Sequence, residues 1–204
     1  MKNGQGELWE EVLADATALA EEYRENGWEV RTVHPGDVSP TEKDERFGLS
    51  VLLPGSEYEE IESLIDDPNV SFDGAEVYQH TVGTVVYAVV IELDTTTEVA
   101  VVIPMAYSVA EFETIFEQAF EDEELQVHLR PLTIDQWVTF VHDDPSLFVD
   151  ESHLQSVIEQ NPRRQAQAAI QAERDRLKAE GAARDSDVDA DGDTDAESEG
   201  NDDS

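Results

Sequence analysis

The stretch Thr84-Val-Val-Tyr-Ala-Val-Val-Ile-Glu-Leu-Asp-Thr-Thr-Thr-Glu-Val-Ala-Val-Val-Ile-Pro-Met105 decides the fold. Val85 to Ile91 and Val99 to Ile103 are apolar at every position, so both alternating faces of each strand call for burial. Asp94-Thr95-Thr96-Thr97 supplies a polar turn, and the β-branched residues on either side suit a pleated surface. The two strands form a hairpin at the centre of a sheet, with helices or a second subunit over both faces.

Upstream, Leu8, Val12, Ala16, Leu19 and Tyr23 lie on one stripe of a helix over 7–26, which Asn26-Gly27 ends. Trp28 to His34 alternates as a strand; Pro35-Gly36-Asp37 breaks it, and 35–46 reads as a polar loop. Phe47 to Leu53 is a second strand. Ser56 with Glu59 forms a capping box for a short helix burying Tyr58, Ile61, Leu64 and Ile65. A third strand falls within Val70 to Val82. Downstream, Ser108 with Glu111 is a second capping box, for a helix whose face holds Val109, Phe112, Ile115, Phe116, Ala119 and Phe120. Leu125 to Leu132 is extended. Thr133 with Gln136 opens a helix carrying Trp137, Phe140 and Val141, Asp144-Pro145 begins a helical turn, and Asp150 opens a last helix with Leu154, Val157 and Ile158.

The order α-β-β-α-β-β-β-α places the chain in the α+β class, as a mostly antiparallel five-stranded sheet flanked by helices. Extra C-terminal helices follow. Residues 1–160 form one domain, 161–180 an exposed linker helix, and 181–204, made of Asp, Ser, Gly and Ala with few apolar residues, a disordered acidic tail. The topology resembles, by analogy, the roadblock/longin-like group of the profilin-like architecture, with small secretion-chaperone-like domains as a competitor. That resemblance implies a dimer or an adaptor. Gly27-Trp-Glu-Val30, Val33-His-Pro-Gly-Asp-Val38, Phe47-Gly-Leu-Ser-Val-Leu-Leu-Pro54, Phe72-Asp-Gly-Ala-Glu-Val77 and Val102-Ile-Pro-Met-Ala-Tyr107 resemble an uncharacterised haloarchaeal family of unknown function, over roughly 8–125. The resemblance implies a halophilic source and brings no activity or site residue.

Charge points the same way. Of 204 residues 49 are acidic and 12 basic; residues 1–162 hold 36 acids and 6 bases, and 185–204 hold ten acids and no base. Such a body repels itself in dilute salt, whereas in molar salt the Debye length falls to about 3 Å and the repulsion is nearly switched off. A salt-accumulating cytoplasm is the expected setting. The acidity argues against direct binding to nucleic acid or an anionic membrane, since phosphate contacts need clustered Lys and Arg. Zero cysteines exclude disulfides and thiolate zinc sites, and no run is long enough for a membrane span of ~20 residues. Residues 163–184, with six bases and three acids, stand out as a helix that can latch onto an acidic body or present a partner-binding face.

Motifs for chemistry are sparse. Asp187-Val-Asp189-Ala-Asp191-Gly192 copies the first half of a calcium loop, but Ser198 stands where the bidentate Glu belongs and no apolar exiting helix follows. An Asp-rich tail produces this pattern by composition, so no metal and no cofactor is expected. His142-Asp143-Asp144 and His153 could supply ligands only if the loop folds back. The dispersed histidines read as surface residues among acids. No glycine loop for phosphate and no nucleophile motif is present. The leading reading is a non-enzymatic, cytoplasmic interaction or adaptor module, self-associating or holding an unknown protein partner. The alternative is a small-ligand-binding domain with its pocket between the sheet and residues 132–160.

Overall fold

The structure, a computed structural model, describes residues 3–43, 46–133 and 136–186. The chain divides into two compact units, residues 1–159 and 160–204. In the first unit the central hairpin forms as its sequence dictates. Strand β5 (Val85–Asp94) pairs antiparallel with β6 (Val99–Ser108), Val85 opposite Ser108 and Asp94 opposite Val99. Asp94 closes the turn: its carboxylate accepts from the Thr97 hydroxyl at 2.6 Å and from the Thr96 and Thr97 amides. Glu98 leaves the turn with a left-handed φ of 57°.

The hairpin lies at the middle of a four-stranded sheet ordered β1 (Glu29–Thr32), β6, β5, β4 (Gly74–Val82). Strand β1 runs parallel to β6, and β4 antiparallel to β5. Both faces are covered inside this one unit. On one, Tyr87, Val89, Ile91, Leu93, Ala100 and Val102 pack under helix α1 (Asn3–Glu25) through Val12, Ala16 and Ala20. The two small alanines, each 1% exposed, let the helix backbone approach the sheet closely. The opposite face, with Val86, Ala88, Val90, Val101 and Ile103, belongs to the larger core.

That core corrects the expectation of one five-stranded, mostly antiparallel sheet. A second four-stranded sheet faces it, ordered β2 (Asp37–Lys43), β3 (Arg46–Leu52), β7 (Leu125–Arg130), β8 (Val138–His142), with β3 and β7 parallel and the outer pairs antiparallel. Among the described residues, eight strands in two mixed sheets replace the five. Two segments account for much of the difference. Residues 37–43, read as part of a polar stretch after the break at Pro35-Gly36-Asp37, form an edge strand in which Pro40 is tolerated. Residues 138–142, read as a helix, alternate Val138, Phe140 and His142 inward against Thr139 and Val141 outward.

Helices α2 (Gly55–Ile65), α3 (Glu113–Asp122) and α4 (Glu151–Gln160) complete the core through Tyr58, Ile61, Ile115, Phe116, Leu154 and Val157. Neither expected capping box forms. Helix α2 starts behind Pro54 and α3 behind Phe112, without a side-chain cap; Ser108 is instead the last residue of β6, its carbonyl taking the Glu111 and Phe112 amides. The expected helical turn at Asp144-Pro145 is a 3-10 turn (Pro145–Leu147), and Asp144 accepts the Ser146 amide. Asp150 accepts the His153 amide at the start of α4, as a cap should.

In the second unit, helix α5 (Pro162–Ser186) runs six residues beyond the point where the acidic tail was expected to begin. Residues 187–204 lie outside the described residues. No described helix is long and apolar enough to cross a membrane.

Candidate functional site

Strand alternation places two titratable side chains inside the protein. Val86, Ala88 and Val90 of β5 face the larger core, and Glu92 is the next residue on that face. Val138 and Phe140 of β8 face the same core, and His142 is the next. Glu92 Oε1 and His142 Nε2 meet at 3.2 Å, with each side chain 3% exposed. The two atoms are within ion-pair reach, yet neither has an aligned hydrogen bond. The imidazole edge rests on Phe148, ring centroids 4.8 Å apart. Polar groups taken this far out of water cost on the order of several kcal/mol each unless something compensates them.

The pair forms part of the wall of a cavity of about 650 Å³. Residues 70–73, ahead of β4, line it with Gly74, Ala75 and Glu92 of the first sheet, Thr139–Asp143 and Leu147 from the second sheet and the turn after it, and Glu123 and Glu124 from the end of α3. Its apolar patch includes Phe72 and Phe140, packed edge to face at 5.2 Å. The Gln79 amide holds the turn in place by donating to the Leu147 carbonyl at 3.0 Å.

Five carboxylates, Asp73, Glu92, Glu123, Glu124 and Asp143, line this space, and no Lys or Arg among the described residues does. Asp73 is committed elsewhere: the Thr95 amide and hydroxyl donate to it and hold its carboxyl below the usual range. Neighbouring Asp94 is held down to about 2, first by the Thr97 hydroxyl and then by the Ser71 and Thr97 amides. These two acids stay ionised and fix the 70–75 segment to the hairpin turn. Glu92 is the carboxylate in the wall whose buried oxygen lacks an aligned donor.

Of the residues that sequence reasoning singled out, His142 and Asp143 line this cavity, the first beside Glu92. Asp187, Asp189 and Asp191 lie outside the described residues. His142, Asp143 and His153 do not assemble, and no group of three His, Asp or Glu among the described residues is placed to hold a metal. His34 contacts Glu57 at 3.0 Å on the surface, while His128 is buried under the Trp137 ring edge. The stripe Phe112, Phe116 is core. Glu92 escaped sequence reading although its parity with Val86, Ala88 and Val90 carried the signal. His142 was named only as a loop ligand, because a helical reading of the segment carrying Trp137, Phe140 and Val141 hid the period of two.

Fold and cavity define the class: an α+β domain of two mixed sheets with a buried His–Glu pair in the cavity wall. Residues 1–150 match the model of a family described as a family of unknown function, DUF7529, and the chain belongs to that family. No curated protein and no solved structure matches it.

Proposed function

We propose that the chain is a small-ligand-binding domain, non-enzymatic, whose ligand occupies the cavity between the first sheet and residues 139–147. The buried Glu92–His142 pair carries this reading. Two polar groups without aligned hydrogen bonds, placed in a cavity wall, are compensated when a ligand supplies the donor. The lining selects the ligand's chemistry: a positively charged or donor-rich group for the carboxylates, with an apolar body against Phe72 and Phe140.

The test is a thermal-shift series with methylamine, 1,4-diaminobutane and benzyltrimethylammonium against the wild type and Glu92→Gln. Ligand at about 100 times its Kd stabilises the fold by ~2.7 kcal/mol, a shift of several degrees. A shift for the wild type that Glu92→Gln loses supports the reading. No shift with any amine, or equal shifts in both proteins, sinks it.

A second reading, protein association, has its own observation. Ile170 and Leu177 lie two turns apart on α5 and are 62% and 58% exposed. The earlier motive for self-association through the central sheet has lost its ground, because α1 and the larger core cover both faces. Sedimentation of wild type and of Ile170→Ser with Leu177→Ser decides: an oligomer that the double variant dissolves supports the reading, and a monomeric wild type ends it for self-association. The acid excess also supports a salt-rich, cytoplasmic setting of haloarchaeal type.

A further inference from the structure

The outer face of the second sheet gathers positive charge in a chain that has little of it. Leu49, Val51, Val127, Leu129, Val138 and Phe140 point into the core, so the alternate residues point away. The register sets Lys43 opposite Arg46 and Ser50 beside His128, with Arg130 beside Leu52. Trp137, just ahead of β8, lies across this face. The Arg46 guanidinium stacks over its ring at 4.8 Å and that of Arg130 lies 5.7 Å away. Arg130 Nε donates to the buried Ser50 hydroxyl at 2.8 Å, which fixes its fork. Together these residues line a cavity of about 340 Å³, in which Glu42 is the one carboxylate among the described lining residues.

Residues 1–162 hold six bases against 36 acids, and Lys43, Arg46 and Arg130 are half of the six. Arg31 is bound to Glu29 at 2.6 Å, while Arg24 donates to the Val30 carbonyl and the Thr32 hydroxyl. Among the described residues no carboxylate lies within 4 Å of Lys43, Arg46 or Arg130. Three cations drawn together, with Glu42 the one carboxylate among the described lining residues, repel one another, and an anion between them relieves that repulsion. A role confined to packing Trp137 would be served as well by guanidiniums paired to carboxylates.

Size and donor type choose the anion. Guanidinium forks match phosphate oxygens bidentately, and a space near the small end of ligand pockets suits a compact group. A nucleic-acid strand needs a track of cations, and the acidic remainder of the body repels a polyanion. We propose that this face binds a compact phosphorylated anion, held by Arg46, Arg130 and Lys43 beside Trp137. The site is separate from the Glu92–His142 cavity and does not depend on the ligand proposed for it.

The experiment is a titration of the full chain, followed by the tryptophan indole N–H resonances, with inorganic pyrophosphate and with adenosine 5′-monophosphate. Three tryptophans are present, so three indole signals report separate places. The resonance absent from Trp137→Phe should move on titration while those of Trp9 and Trp28 stay. Arg46→Gln combined with Arg130→Gln should weaken binding at least about tenfold, as expected for lost charge-assisted hydrogen bonds. Arg31→Gln, which removes a base already paired to Glu29, should not. A response to pyrophosphate alone assigns free inorganic phosphates as the source, and a response to the nucleotide assigns a phosphorylated metabolite; both support the site. Because Arg46 is exposed, Arg46→Gln alone serves if the double variant does not fold. No movement of the Trp137 signal with either probe, or affinity unchanged in the arginine variants, overturns the proposal.

Discussion

The Tyr107 phenol donates to the Phe148 backbone carbonyl across 2.6 Å inside the core. Burial pushes the phenol well above its ordinary pKa, so the proton stays in place as a donor. The bond ties the end of β6 to the residue following Leu147, and Leu147 is part of the cavity wall. Tyr107→Phe keeps the ring and leaves the carbonyl unsatisfied, which costs about 1–3 kcal/mol. Urea unfolding should show a lower midpoint with an unchanged slope. A change below about 0.5 kcal/mol would mean that the bond adds nothing, since ordinary surface substitutions reach that size.

Salt should act on the whole body. With 49 acids against 12 bases, self-repulsion opposes the compact state, and screening relieves it. The melting temperature is expected to climb as KCl rises from about 0.1 M to about 2 M, with the steepest part early, where the Debye length falls from ~10 Å toward ~3 Å. Calorimetry at several KCl concentrations reads it. A flat or falling melting temperature would show that the acidic surface is not what limits stability, and would remove the ground for a salt-rich setting.

His128 gives stability a pH dependence of definite sign. Burial, and then the Arg46 guanidinium, push its pKa down to about 4, from 6.5 for a free imidazole, while the Phe47 carbonyl pulls weakly the other way. Between those two values the unfolded chain binds the extra proton, so stability rises with pH up to about 6.5 and is lost as pH falls toward 4. His128→Gln should flatten this part of the profile. Urea midpoints for both proteins across the window measure it, and parallel profiles would refute the assignment to His128.

The legible part of the fold was wherever local pattern and burial agreed. The central hairpin and α1 carried unbroken apolar periodicity and formed where it lies, whereas α3 starts at Glu113 and leaves Val109 and Phe112 of the expected stripe ahead of the helix, in the core. Strand β2 was hidden because an edge strand needs few apolar residues: Val38 and Pro40 stand among five polar positions, and the buried residue of the strand is Thr41. The split into two sheets could not be read from element order, since β3 chooses β7 as a parallel neighbour 75 or more residues away in sequence. The chemistry of the cavity lined by Glu92 and His142 was not legible. Glu92 and His142 become partners only through that long-range pairing.

Gly48 tests the second sheet at its centre. It lies in β3 opposite Gln126 of β7, and a Cβ built there would sit 2.1 Å from the Gln126 carbonyl oxygen and 2.9 Å from its carbon. Both are backbone atoms of the neighbouring strand, so no side-chain rotation relieves the clash. Gly48→Ala must pry the two central strands apart. The expected cost exceeds about 3 kcal/mol, among the larger values seen for single substitutions, and shows as lost folded yield or a sharply lower urea midpoint. Gly55→Ala is the control: Gly55 opens α2 with no atom within 4 Å of its added Cβ, so its stability should hold or rise by up to about 1 kcal/mol. Arg46 and Ser50 flank Gly48 on the same face of β3, so any folded fraction of Gly48→Ala should also bind pyrophosphate more weakly. Equal stability of the two alanine variants would mean that β3 and β7 do not pair in this register.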